Sequence, residues 1–226
     1  MDGLLTRHGA GERLDRHRHA GAYAALVLEG GYIEAGDRGR FAVKAGQVVL
    51  HGPYESHQDA FFARGARVLN LPVHCEGRSL ARAADPDAIV RLAERDLRAA
   101  CELLRTSLIE EAADLDDWPD RLGRCLIADP DVDLGEWAAR HGLAPQSLSR
   151  GFRKAFGVTP KRFRADQRTL GALRALPGWR GTGAALAVEL GFADQAHMTR
   201  SVGALTGRCP SQLRVKQVQE PRRHLR

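Results

Sequence analysis

The chain has 226 residues, 43% of them hydrophobic, and a formal net charge of +6. That is enough apolar material for one large domain or two small ones, and it argues against a disordered chain. No apolar run approaches the ~18 residues of a membrane-spanning helix, and MDGLLTRHGA lacks the apolar core of a signal peptide.

A cytoplasmic protein without a membrane partner is therefore expected. Cys75, Cys101, Cys125 and Cys209 form no CxxC pair and read as thiols of a reducing compartment rather than a disulfide framework. The charge is divided along the chain. Residues 140–226 carry 17 Lys/Arg against 4 Asp/Glu, whereas residues 1–139 carry 17 against 24. A basic half joined to an acidic one is the distribution of a nucleic-acid-binding domain attached to a partner domain.

Six of the nine histidines fall in the first 80 residues, beginning with RHRHAGAY and continuing in HGPYESH. From residue 20 to 72 the chain reads as short strands. AYAALVLEGGYIEA, GRFAVKAGQVVLHGP and ARVLNLPVH are rich in β-branched and aromatic residues and are broken by Gly-Gly, Gly-Asp and Gly-Pro. Such spacing predicts a small antiparallel barrel or sandwich. Residues two apart on a strand share a face, so His17 and His19 can project together into a barrel. With His57 from a facing strand, three imidazoles would suit one divalent transition metal, Zn, Ni, Fe or Cu, with His51 a further candidate ligand. An organic pocket that includes Tyr23, or plain packing, accounts for the same residues.

From Asp85, an N-cap before Pro86, the residues Ile89, Leu92, Leu97, Ala100, Leu104 and Leu108 recur at helical spacing. This stripe fits either a core helix or the seam of a homodimer. A further helix is expected from Trp118 to about Ala128. Beyond it the pattern is helical to about Val218, followed by a tail.

Two segments of the basic half resemble each other. Arg150, Gly157, Pro160 and Arg164 recur 50 positions later as Arg200, Gly207, Pro210 and Arg214. Each segment has a small residue (Ala138, Ala187), a turn glycine (Gly142, Gly191) and an apolar plug (Leu143, Phe192), the parts of a helix-turn-helix. The polar sides of the second helices present Gln146, Ser147 and Arg150, then Gln195, His197 and Arg200, residue types that hydrogen-bond base edges. Arg153, Lys154, Lys161, Arg162 and Arg164 suit phosphates. The segment KRFRADQRTLGALRAL between the copies reads as a linking helix, with Leu170, Leu173 and Leu176 near one face.

LGFADQAHMTRSVGALTGRCPSQLR, with Gly-x-x-Pro-x-x-x-Arg, and LAPQSLSRGFRKAFGVTPKRF resemble the two motifs of AraC/XylS-type transcription regulators over residues 119–215. Met198 and Val202 stand where that family usually has Phe, and Gly203 where a basic residue is common. The resemblance implies an α+β protein: a cupin-like sensor β-barrel (1–80), linker and dimerisation helices (81–115), an all-α DNA-binding domain with tandem helix-turn-helix motifs (116–218) and a tail (219–226). It further implies promoter DNA as partner, RNA polymerase if the protein activates, and a small-molecule or metal effector. RHRH and AGQVVLHGPYESH are similar to the two cupin motifs, without the usual carboxylate after HxH. A three-histidine cupin enzyme of dioxygenase type is the alternative, which leaves the basic repeat unexplained.

Overall fold

The structure is a computed structural model describing residues 4–214 apart from 76, 78 and 113, so the expected tail and the last residues of the expected DNA-binding domain lie outside it. The chain is α+β. Its N-terminal part is one eight-stranded antiparallel sheet: β1 (Leu5–His8), β2 (Arg13–Arg18), β3 (Tyr23–Gly36), β4 (Gly39–Lys44), β5 (Gln47–His51), β6 (Ser56–Leu71), β7 (Leu80–Ala83) and β8 (Leu108–Glu110). The path runs β1-β6-β3-β5-β7-β8, with β2 on β6 and β4 on β3.

Strands β3 and β6 carry the sheet and are buried on both faces along much of their length. Alternate residues of β3 separate into two cores. Ala25, Val27 and Tyr32 join Phe41, Val49, Phe61 and Val68 inside the curl of the sheet, while Ala24 and Leu26 join Leu50, Leu69 and Leu71 on its outer face. The two strands bend together where Gly30 (φ +67°) meets Gly65 (φ +64°). A Cβ on Gly30 would lie 1.9 Å from the Gly65 carbonyl oxygen, so only glycine permits the crossing.

The helical stripe after Asp85 is two helices rather than one run. Helix α1 (Pro86–Ala93) is capped by Asp85, whose carboxylate accepts from the Ala88 N–H at 2.8 Å; α2 (Leu97–Ser107) is capped in the same way by Asp96. Leu108 then leaves the helix to pair with Ala83 as the start of β8. Ile89, Ala93, Ala100 and Leu104 pack on the outer face of the sheet, which places the apolar stripe within the chain's own core.

The C-terminal part is helical: α3 (Trp118–Ala128), α4 (Leu134–Arg140), α5 (Pro145–Phe156), α6 (Pro160–Ala175), a 3-10 turn (Leu176–Gly178), α7 (Gly183–Glu189), α8 (Gln195–Thr206) and α9 (Pro210–Arg214). It holds two cores. The first is built around Leu122, Leu126, Trp137, Phe152, Phe156 and Phe163, the second around Leu176, Leu186, Phe192, Met198 and Val202. Helix α6 bridges them, with Phe163 in the first and Ala172 in the second.

Candidate nucleic-acid interface and ligand cavity

Helices α4–α5 and α7–α8 are two helix-turn-helix units built to one plan. Each turn glycine is left-handed, Gly142 at φ +65° and Gly191 at φ +70°, as is each glycine closing a second helix, Gly157 at +75° and Gly207 at +70°. Leu143 and Phe192 plug the two cores. Met198 and Val202 are fully enclosed, so these smaller side chains fill the second core in place of aromatic ones.

Gln146, Arg150, Arg153 and Lys154 lie exposed on α5, with Ser147 half-buried beside them; Gln195, His197 and Arg200 are exposed on α8. Asp194 caps α8, accepting from the His197 N–H at 2.6 Å. Lys161 is exposed at the start of α6, and Arg162 is exposed but paired with Asp166 at 2.9 Å.

Arg164 is placed differently from expectation. It is half-buried, and its guanidinium donates to the Val132 carbonyl in the loop before α4. Its equivalent, Arg214, donates to the carbonyls of Trp179 (2.7 Å) and Gly181 (2.8 Å) in the loop before α7. Both arginines tie the end of a motif to its beginning, a structural role that the phosphate expectation for Arg164 did not include.

The inner curl of the sheet encloses a cavity of about 570 Å³, bordered by His17, His19, Tyr23, His51, His57 and Phe61 among others. His17 pairs with His57 across β2–β6, and their ring centroids lie 4.3 Å apart. Ring nitrogens of His17, His19 and His57 lie within 4.8 Å of one another, so the structure gathers the three histidines. The Tyr23 hydroxyl sits 2.9 Å from His57 Nε2, and the Tyr23 ring stacks on His51 at 4.3 Å.

His51 belongs to a second trio, with His57 and Glu34, again within 4.8 Å and wholly buried. Burial holds the Glu34 carboxyl well above the usual carboxylate range and pushes the His51 imidazole down to about 4. Burial, then the neighbouring imidazoles of His57, His17 and His51, lower His19; burial, then Glu34 and Asp59, raises the Tyr23 phenol.

Asp59 and His8, which line the cavity, and Glu34, buried beside its histidines, were not apparent from sequence. His8 stacks on Phe61 at 4.1 Å on the cavity wall. The signal for Glu34 was alternation along YIEAG, which puts it on the same face as Tyr32, opposite Asp59.

The sheet docks on the first helix-turn-helix unit. Arg16 of β2 pairs with buried Asp37 and donates to the Phe156 carbonyl at the end of α5 (3.2 Å). Gln58 of β6 donates to the Ala155 carbonyl (3.3 Å), and Gln167 of α6 donates to the Asp37 carbonyl (2.7 Å). Arg40 grips Asp120 of α3 through two bonds of 2.9 Å and reaches Asp117 at 2.8 Å. Ala35 of β3 is part of the first helical core. Neighbouring residues thus face opposite ways: His17 and His57 to the cavity, Arg16 and Gln58 to the last turn of α5.

Residues 137–216 match a family described as a helix-turn-helix domain. The arabinose operon regulatory protein of Escherichia coli (strain K12) is 33% identical over 88 residues, 39% of this chain and 30% of that protein, so the chain spans about a third of that relative's length. Among solved structures, the C-terminal domain of AraT, a response regulator from Geobacillus stearothermophilus, aligns with 50% of this chain and 98% of its own at 18% identity and a TM-score of 0.44. ToxT from Vibrio cholerae O395 aligns with 92% of this chain and 95% of its own at 10% identity and a TM-score of 0.43.

Proposed function

We propose, from the premise that the C-terminal half is an AraC-type helix-turn-helix domain, that this chain is a one-component transcription regulator whose promoter binding responds to the occupant of the N-terminal cavity. The observation that carries the reading is the pair of exposed second helices held by one linking helix, α5 with a basic face and α8 with Gln195, His197 and Arg200. Gln146, Ser147, Arg150, Gln195, His197 and Arg200 are the base-reading candidates, and Arg153, Lys154, Lys161 and Arg162 the phosphate contacts. In this reading α5 and α8 enter successive major grooves, about 34 Å apart along one duplex. RNA polymerase becomes a partner if the protein activates, and a second copy if it binds as a homodimer.

The docked interface supplies the coupling. A ligand that draws on His17 or His57 acts on the strands whose next residues, Arg16 and Gln58, hold the carbonyl end of α5. The ligand shifts DNA affinity by as much as it distinguishes docked from undocked arrangements.

The test is the salt dependence of DNA binding. The logarithm of affinity should fall linearly with that of salt, by about 0.9 for each phosphate neutralised. Lys154→Ala should reduce that slope by about 1 and weaken all sequences alike. Arg150→Ala should cost about 1–3 kcal/mol and relax base preference. A flat salt response would sink the assignment.

A further inference from the structure

The geometry points to a divalent transition-metal site at Glu34, His51 and His57, with Glu34 supplying a carboxylate from β3, outside both histidine motifs. It deepens the regulatory reading, on which its consequence for DNA rests.

Three observations carry the site. Glu34, His51 and His57 come from three different strands, β3, β5 and β6, and are 3%, 7% and 5% exposed. Their donor atoms converge: His51 Nε2 lies 3.4 Å and His57 Nδ1 3.8 Å from Glu34 Oε2. Two ligands bound to zinc at about 2.0–2.1 Å in a tetrahedral shell lie roughly 3.3–3.4 Å apart, so the first pair is already at ligand spacing. Finally, Glu34 Oε2 and His51 Nε2 are buried and have no hydrogen-bond partner among the described residues, even though they face each other. Two buried polar atoms left unsatisfied at that separation are costly, and one cation between them would satisfy both.

The surroundings agree with this role. Tyr23 holds His57 Nε2 at 2.9 Å and stacks on His51, so it fixes the orientation of two ligands in the manner of an outer-shell partner. Asp59 Oδ1 is hydrogen-bonded to His57 Nδ1 at 3.2 Å; an ion that takes that nitrogen replaces this bond and keeps the Asp59 carboxylate beside it as negative charge. Two imidazoles and a carboxylate suit Zn(II) and its first-row neighbours rather than Ca(II) or Mg(II). His17 and His19 approach the same His57 from the cavity side, so an ion here would stiffen His57 beside Gln58 and the end of α5.

The experiment uses the untagged full-length chain, loaded with Zn(II) and freed of excess by gel filtration. Zinc per chain is measured by mass spectrometry, and affinity by competition with a chelating dye. One zinc per chain and a raised melting temperature are expected, with Glu34→Gln, close in shape but without the anion, binding zinc more than about tenfold more weakly. His51→Gln should do the same and serves if Glu34→Gln fails to fold, folding being judged by circular dichroism of the metal-free proteins.

Failure of the wild-type chain to retain zinc would overturn the site and leave Glu34 and His51 as an acid–imidazole pair. Zinc kept by Glu34→Gln but lost on replacing His17 and His19 would put the ion in the outer trio and overturn the role of Glu34. Zinc binding by a chain that binds no DNA would uphold the site and overturn the regulatory reading instead.

Discussion

Arg164 and Arg214 show how one residue type serves two purposes within a few positions. Lys154 and Arg150 are exposed on α5, whereas Arg164 and Arg214 turn inward to main-chain carbonyls. A charged donor bonded to a half-buried carbonyl contributes about 1.5–3 kcal/mol. Arg164→Ala and Arg214→Ala should therefore lower unfolding free energy by about that amount in denaturant titrations, while leaving the salt slope of DNA binding unchanged. Lys154→Ala should do the reverse. From sequence alone the two classes look alike, because both fall on the polar side of an amphipathic helix; only the carbonyls they meet, contributed by loops some 30 residues earlier, separate them. Glu34 escaped notice for a related reason. Its partners come from β5 and β6, and a carboxylate in an apolar strand gives no hint of its neighbours until the register is known.

At the scale of the elements, legibility followed local signals. The helix Trp118–Ala128 and the start of the one at Pro86 could be placed closely, because Asp85 and the aspartates before Trp118 mark where they begin, whereas the break before Asp96 could not. The apolar segments of β3, β4 and β5 could be read as well. Strand β1 could not, and β2 and the first half of β6 entered the reading only through the histidines placed on them. LTRH, RLDRHR and SHQDAFFARG mix charges with histidines that face a cavity, so their alternation does not look like a core. Strand β8 is only three residues long and exists because β7 offers an edge to pair with.

The bend shared by β3 and β6 holds this sheet in its curl. Gly30→Ala would drive a methyl into the Gly65 carbonyl at a positive φ and should destabilise by about 3 kcal/mol or more, measurable as a loss of melting temperature. In α8, Asp194→Ala removes the cap of the proposed second reading helix. It should cost about 1 kcal/mol of stability and weaken DNA binding without altering the salt slope.

At the scale of the whole molecule, the sheet domain and the first helical core form one docked body through Arg16 to the Phe156 carbonyl, Arg40–Asp120 and the two glutamines, Gln58 and Gln167, while the second unit keeps its own core. The charge split between the halves was visible in the sequence, but the contacts that join them were not, since they pair residues 80 to 140 positions apart. Arg16→Ala leaves Asp37 buried without its guanidinium and frees the end of α5. Such a variant should become more sensitive to proteolysis between the domains, and its DNA affinity should lose its response to cavity ligands.

The adjacency of His17 and Arg16 on one strand has a consequence for the operator as well as for the ligand. Free energy passed along that strand in one direction must pass equally in the other. In the proposed reading promoter DNA, by fixing α5, would act as an effector of the cavity, and whatever factor the ligand adds to DNA affinity would be returned to the ligand. A chain bound at its promoter would accordingly sense a different concentration range from the same chain free in solution.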